Sequence, residues 1–145
     1  MIYFDTSYLV RLYLDDFGAE AVRALVKQSD VACSLHGQTE CIAALHRAFR
    51  ERRFSHNAYL SLLNQFEEDD RDGAFNWLPM DDKVNMVVAK IYRKASAKIF
   101  LHAADALHLA NARENGFKEI FSHDQRMIEA APLFGLKGID VVKQS

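Results

Sequence analysis

Four acidic residues, far apart along the chain, each lie beside an apolar segment. Asp5 ends the run Ile2-Tyr3-Phe4 and is followed by two hydroxyl residues. The same arrangement recurs at Glu40, Asp105 and Asp124. In an open α/β sheet, ligands bind beyond the carboxyl ends of the strands, so an acid placed there is held by a rigid element. This recurrence indicates a metal site rather than scattered surface charge.

Convergence of the four carboxylates would require a positive partner. Two unit charges ~4 Å apart repel each other by about 4 kcal/mol at an effective dielectric constant near 20. A cluster of acids persists by taking up protons or by binding cations. Oxygen ligands suit Mg²⁺ or Mn²⁺, and such ions activate water and stabilise the leaving group in phosphodiester hydrolysis. The alternative is that Glu40 and Asp105 are simple helix-start acids and that Asp5 caps a helix.

Strand-like and helix-like segments alternate along the chain. We predict strands at 2–5, 31–35, 75–79, 119–122 and 138–142. We predict helices at 7–14 with Ser7 as N-cap, 19–28, 37–53, 55 to about 67, 82–94, 105–115 and 125–131. Pro79 makes the third strand an edge strand. This alternation is typical of a three-layer α/β/α fold around a central parallel sheet of four to five strands.

Length and composition indicate one globular domain over residues 1–145. Half of the residues are hydrophobic and only two are proline, so the chain can form a sizeable core. The uncharged stretches fall far short of the ~18 residues that a membrane span needs, and we expect a cytoplasmic protein without a membrane partner. Cys33 and Cys41 lack metal-site spacing and are expected to be reduced thiols. A net charge of −2 neither favours nor excludes a nucleic-acid partner.

The acidic segments resemble the motifs of the PIN-domain family, especially its VapC-type toxins. The segment 2–7 (Ile-Tyr-Phe-Asp-Thr-Ser) is similar to the opening of that family, and 38–45 to its second acidic motif. Residues 104–110 (Ala-Asp-Ala-Leu-His-Leu-Ala) resemble the third motif and are the most specific match. Residues 121–127 resemble the fourth, which more often reads Thr-x-Asp and here has Ser122. The resemblance covers nearly the whole chain in order and spacing.

This resemblance implies a PIN-like fold and a metal-dependent endoribonuclease that is the toxin of a toxin–antitoxin pair. The implied cofactor is Mg²⁺ or Mn²⁺, and the implied partners are an RNA substrate, a cognate antitoxin and a second copy of the chain in a homodimer. The residues implied to hold the metal and orient the attacking water are Asp5, Glu40, Asp105 and Asp124. Ser7 and Ser122 match hydroxyl positions that would support the acids or a ligand water.

Arg11 and His108 lie at helical spacings from two of these acids. Arg11 follows Asp5 by one or two helical turns and would either neutralise the acids or touch substrate; a surface salt bridge is the alternative. His108 lies three residues after Asp105, a spacing that can bind a transition metal. No second histidine lies at a matching spacing, so the sequence favours a core histidine that donates to a carbonyl.

Two other functions remain open on sequence grounds. A receiver-like phosphotransfer module would also place an aspartate at a strand end with Mg²⁺, but it would need a second acid beside Asp5 and a lysine at a later strand end. The chain has Thr6 and Ser122-His123 at those places. A binding protein with a PIN-like fold and no catalysis is the other alternative, and the presence of all four acids argues against it.

Overall fold

The computed structural model describes residues 1–142, in which five short strands alternate with helices. The strands are β1 Ile2–Tyr3, β2 Val31–Ser34, β3 Phe75–Leu78, β4 Glu119–Phe121 and β5 Lys137–Ile139. The α-helices are α1 Thr6–Leu9, α2 Ala19–Val26, α3 His36–Arg50, α4 His56–Arg71, α5 Asp82–Lys94, α6 Ala103–Glu114 and α7 Gln125–Ala130. Short 3-10 segments, Val10–Leu12 and Ala131–Phe134, continue α1 and α7.

All strand pairs are parallel, and β1 lies at the centre. β1 pairs with β2, which pairs with β3, while β4 pairs with β5. A single bridge between Phe4 and Phe121 joins β1 to β4, which gives the order β3-β2-β1-β4-β5. The chain therefore builds outward from β1 on one side and then crosses to the other side. The gap between β1 and β4 is the topological switch point, where ligands bind in such sheets.

Helices cover both faces of the sheet and form two separate cores. Phe4, which directly follows β1, faces one core and Tyr3 faces the other, because successive residues of extended chain point to opposite sides. The Phe4 core is formed with α1 to α4, and the Tyr3 core with α5 to α7. The three-layer α/β/α architecture with a parallel sheet is thus confirmed. None of the helices among residues 1–142 has the length and apolar character to cross a membrane.

The sheet is less continuous than the sequence predicts. The five strands form a three-stranded and a two-stranded ladder, so neither ladder reaches the four to five strands of the prediction. The prediction of a fifth strand to residue 142 is also too long, because β5 ends at Ile139. The edge position of β3 is confirmed, and the strand ends at Leu78, one residue before the proline.

Side-chain caps fix most of the helix starts. Ser55 accepts from the backbone N–H of Ala58, and Asp81 accepts from that of Val84. The prediction of Ser7 as a cap is wrong, because the side chain of Asp5 accepts from Tyr8 N–H and α1 begins at Thr6. A carboxylate takes this position since its charge interacts favourably with the N-terminal end of the helix dipole.

Gly37 allows α3 to approach β2 and α6 closely, and we expect Gly37→Ala to destabilise the protein. A Cβ atom at this position would lie 2.3 Å from Sγ of Cys33 and 3.3 Å from Cε1 of His108. Overpacking of this kind costs about 1–3 kcal/mol of unfolding free energy, which urea denaturation would measure. The double variant Cys33→Ala/Gly37→Ala removes the closest atom and should recover part of the loss. Equal stability of Gly37→Ala and the parent protein would contradict this packing.

Candidate metal-binding active site

Asp5 lies at the switch point and is almost fully buried, with 3% of its surface exposed. Its Oδ1 accepts from the hydroxyl of Ser7 at 2.6 Å and from the N–H of Tyr8 at 3.2 Å. Its Oδ2 accepts from the hydroxyl of Ser122 at 2.5 Å. The backbone N–H of Asp5 also donates to the carbonyl of Phe121. Three donors from two strand ends therefore hold this carboxylate in one orientation.

Burial dominates the electrostatics of this carboxyl group. It raises the pKa of Asp5, against the opposing effects of the charge of His108 and of the hydrogen bonds from Ser122, Ser7 and Tyr8. Among residues 1–142, every buried side-chain nitrogen or oxygen has a hydrogen-bond partner. The pocket is thus satisfied by protein donors, yet its central acid ionises less readily than a free aspartate.

Glu40 lies in the second turn of α3 and belongs to a different hydrogen-bond network. Its Oε1 accepts from the hydroxyl of Thr6 at 2.7 Å and lies 2.6 Å from Nε2 of His108. Burial raises the pKa of Glu40, but His108 and Thr6 outweigh burial, and the net pKa lies below its ordinary value. Glu40 therefore ionises more readily than a free glutamate, in contrast to Asp5.

His108 is the centre of that second network. It is 1% exposed, and its Nδ1 lies 2.7 Å from the hydroxyl oxygen of Tyr3, which accepts from the backbone N–H of Ser34. The ring thus connects β1 and β2 to Glu40 on α3. The prediction of a core histidine is right about its burial, but its Nε2 partner is a carboxylate and not a carbonyl.

His36 is the residue that the sequence analysis missed. Its Nδ1 lies 2.9 Å from Oγ of Ser34, and its Nε2 lies 3.0 Å from the carbonyl oxygen of Ala104. The ring centroid is 4.2 Å from that of His108. Burial and the neighbouring His108 lower the pKa of His36. The only sequence signal for it is its i, i+4 spacing to Glu40.

Asp105 occupies the first turn of α6 and is half-buried. Burial raises the pKa of Asp105, and the charges of Asp124, Asp5 and Glu40 raise it further. These mutual effects indicate that the four predicted acids share one rim of the sheet. The first turn of a helix also presents its positive dipole end to an acid there.

Asp124 caps the last α-helix and is linked to Asp5 through Ser122. Its Oδ1 accepts from the N–H of Arg126, and its own N–H donates to the hydroxyl of Ser122 at 2.9 Å. Ser122 therefore accepts from one acidic residue and donates to the other. The neighbouring His123 is directed away, with its Nδ1 2.8 Å from a carboxylate oxygen of Asp140.

The side chain of Arg11 donates to backbone carbonyls and not to the acids. It is 8% exposed, its Nη1 donates to the carbonyl of Ser7 and its Nε to that of Phe17. Neither a surface salt bridge nor neutralisation of the acids describes this arrangement. Arg11 fixes the backbone around α1 instead, and a contact of its side chain with substrate stays a prediction without structural support.

The donor set fits a hard divalent cation. Carboxylate oxygens predominate at the switch point, and Mg²⁺ commonly binds one or two carboxylates together with several waters. The carboxylates of Asp5, Asp105 and Asp124 do not bring three oxygens within 4.8 Å of one another; within residues 1–142, the group that meets this distance is His36, Glu40 and His108. This wider spacing suits an ion that keeps part of its hydration shell.

Comparisons with known proteins agree with this fold. A family model described as PIN domain matches residues 2–132. FitAcB from Neisseria gonorrhoeae is 19% identical with a TM-score of 0.76, over 95% of this chain and 96% of that chain. No curated protein gives a significant match.

Two further solved structures are similar across most of their length. VapC20 from Mycobacterium tuberculosis, described as a sarcin–ricin loop cleaving toxin, is 18% identical with a TM-score of 0.66, over 90% of this chain and 95% of that chain. VapBC2 from Rickettsia felis, bound to a DNA fragment from its promoter, is 14% identical with a TM-score of 0.67, over 97% and 98%. At these identities the likeness shows a shared fold.

We expect Asp105→Asn to raise the melting temperature of the metal-free protein. Because the pKa of Asp105 is raised in the folded chain, its ionisation disfavours folding once the pH exceeds the unfolded pKa of about 3.9, and the full effect is present above the folded pKa. The asparagine should increase Tm by about 2–4 °C at neutral pH, with a smaller gain as the pH falls toward the unfolded value. Calorimetry in the presence of a chelator would measure this.

The matched control for this measurement is Asp30→Asn. Asp30 is exposed and directly precedes β2, so it lies at the amino ends of the strands, away from the acidic rim at their carboxyl ends. The substitution Asp30→Asn should leave Tm nearly unchanged, both at neutral pH and at the lower pH. A Tm of Asp105→Asn at or below that of the parent protein at neutral pH would show that the rim acids do not repel one another.

Proposed function

Because the chain belongs to the PIN-domain family, we propose that it is a divalent-metal-dependent endoribonuclease and the toxin of a toxin–antitoxin pair. The observation that carries this proposal is the buried Asp5 carboxylate at the switch point, held by three donors on the rim where Asp105 also senses the charges of Asp5, Asp124 and Glu40. Such an arrangement disfavours its own ionisation, and a bound cation would reverse that cost. The cofactor of the proposal is Mg²⁺ or Mn²⁺.

Each acidic residue has a proposed role that follows from its surroundings. Asp5 and Asp105 hold the ion, and Glu40 and Asp124 complete the site and orient the attacking water. A bound divalent cation would supply a water of lowered pKa and stabilise negative charge on the phosphodiester. Ser7 and Ser122 keep the carboxylate of Asp5 in one orientation, since a preorganised site needs no rearrangement during the reaction.

The Ser122 hydroxyl couples two of these acids. It donates to Asp5 and accepts from the N–H of Asp124, so the position of one acid depends on the other. The Tyr3–His108 pair supports Glu40 in the same way. These supporting groups hold negative charge at fixed positions around the place where a phosphodiester and its cation would bind.

Partners of the proposed toxin follow from the similar structures. One is described as a toxin that cleaves the sarcin–ricin loop, which supports RNA as the substrate class. Another is described as a toxin–antitoxin complex from Klebsiella pneumoniae, which supports a protein antitoxin as the partner. We propose in addition that the chain forms a homodimer.

The phosphotransfer alternative has little support in this geometry. A phosphoryl acceptor needs a carboxylate oxygen that is free to attack, whereas both oxygens of Asp5 accept hydrogen bonds from hydroxyl groups. The hydroxyl of Thr6, at the position where a second acid would be needed, donates to Glu40. No lysine follows β4, where Ser122 and His123 lie.

We expect Asp5→Asn and Asp105→Asn to reduce RNA cleavage at least about 100-fold, since each removes a charge that binds the cation. The measurement is the cleavage rate of a labelled structured RNA with Mn²⁺, with calorimetry for Mn²⁺ binding. Products should carry no 2′,3′-cyclic phosphate, because the proposed nucleophile is water. That feature also separates this activity from contaminating ribonucleases that use the 2′-hydroxyl.

Asp30→Asn serves again as the control and should cleave at the parent rate. Cleavage by Asp105→Asn at the parent rate would refute the site. Parent protein that binds Mn²⁺ and cleaves no RNA would refute the substrate class. Parent protein that binds no Mn²⁺ at all would favour the catalytically silent alternative.

We expect induced expression of the parent chain in a bacterium to stop growth, and expression of Asp5→Asn to leave growth unaffected. The reason is that growth arrest by a ribonuclease toxin requires cleavage. Growth curves with matched protein levels, checked by immunoblot, would measure this. Equal arrest by both proteins would contradict toxicity through this site.

A further inference from the structure

Three potential metal ligands converge beside the carboxylate pocket. Nε2 of His108 lies 2.6 Å from Oε1 of Glu40, and Nε2 of His36 lies 3.6 Å from the same oxygen. The ligand atoms of these three residues all lie within 4.8 Å of one another. They come from α3 and α6, two helices whose first turns both face the carboxyl ends of the strands.

Hydrogen bonds at the far side of each ring fix the direction of the two Nε2 atoms. Nδ1 of His36 lies 2.9 Å from Oγ of Ser34, and Nδ1 of His108 lies 2.7 Å from the hydroxyl of Tyr3. Histidines that bind metals usually engage their second ring nitrogen in this way, which sets the tautomer and the ring orientation. Both rings are thus preorganised with Nε2 toward Glu40.

Each of the two Nε2 atoms faces oxygen acceptors. Nε2 of His108 faces a carboxylate oxygen, and Nε2 of His36 faces the carbonyl of Ala104 at 3.0 Å as well as Glu40. An unprotonated ring nitrogen and an oxygen would repel each other through their lone pairs, so each Nε2 must carry a proton or share a cation with its neighbour. One divalent ion can replace those protons, which pass to the solvent on binding.

The distances are close to those of a metal site. Ligands at ~2.0–2.1 Å from a tetrahedral ion lie roughly 3.3 Å apart, so the 3.6 Å between His36 and Glu40 already fits. The 2.6 Å between His108 and Glu40 must lengthen by somewhat less than an ångström. Glu40 can supply this movement, since its side chain is 32% exposed.

We infer that His36, Glu40 and His108 form a binding site for a transition-metal cation of the Zn²⁺ class. Two imidazoles and one carboxylate favour such ions over Mg²⁺, which prefers oxygen ligands alone. Glu40 is shared with the proposed nuclease site, in which His108 only supports Glu40 and His36 has no role. The histidine site goes beyond the proposed function, because its occupation requires neither RNA nor catalysis.

Zn²⁺ binding to the metal-free full chain tests this inference. Calorimetry should show one tight Zn²⁺ site in the parent protein, and Co²⁺ should give the visible absorption of a low-symmetry nitrogen–oxygen site. We expect His36→Gln to weaken Zn²⁺ binding at least about tenfold and to abolish the Co²⁺ absorption. His46→Gln, on an exposed position of the same helix, should bind both ions as the parent does.

Asp105→Asn separates this site from the nuclease site. It should retain the Zn²⁺ site while it loses Mn²⁺ binding, so failure of one proposal does not imply failure of the other. Loss of Zn²⁺ binding in Asp105→Asn together with full binding in His36→Gln would place the ion among the carboxylates and overturn the inference. Absence of tight Zn²⁺ binding by the parent protein would overturn it as well.

A measurement on the unmutated chain covers the case in which His36→Gln does not fold. The chain has six histidines, and stoichiometric Zn²⁺ should shift the imidazole NMR signals of two of them, assigned to His36 and His108. Shifts confined to exposed histidines such as His46 and His56 would show adventitious binding and refute the site.

Discussion

The desolvated negative charge of Asp5 is the constraint on which the rest of this rim depends. The sheet order puts this residue between β1 and β4, where it is buried and cannot be solvated by bulk water. Two serine hydroxyls and one backbone N–H replace that solvent, but burial still raises the pKa of Asp5. A cation that binds here removes a cost that the fold itself imposes, which links the topology to metal-dependent chemistry.

The surroundings shift the pKa values of the rim acids in opposite directions. Burial raises the pKa of Asp5, and burial together with neighbouring acids raises the pKa of Asp105. Glu40 has a lowered pKa because His108 and Thr6 stabilise its charge. One part of the rim therefore stays anionic through protein contacts, while the other part gains most from an added cation. Glu40 thus lies where the proposed Mg²⁺ or Mn²⁺ site meets the imidazole cluster.

The parallel α/β fold and the positions of the four acids could be predicted from sequence, because their signals lie within short segments of the chain. The acids follow apolar strands or open helices, and strand–helix alternation forces those positions to one rim of a parallel sheet. The Tyr3–His108–Glu40 network could not be predicted, because it joins residues 105 and 68 positions apart. His36 was missed for the same reason: its neighbour His108 belongs to another helix. The Ser7 cap was wrong because Asp5 competes for the same N–H groups and is the stronger acceptor.

The most direct test of the central claim is a crystal structure of the full chain with Mn²⁺, analysed by anomalous diffraction at the manganese edge. The account predicts an anomalous peak at the switch point between β1 and β4, within coordination distance of a carboxylate oxygen of Asp5 and one of Asp105, directly or through a ligand water. A peak remote from Asp5, or full Mn²⁺ occupancy at the same position in crystals of Asp5→Asn, would contradict it.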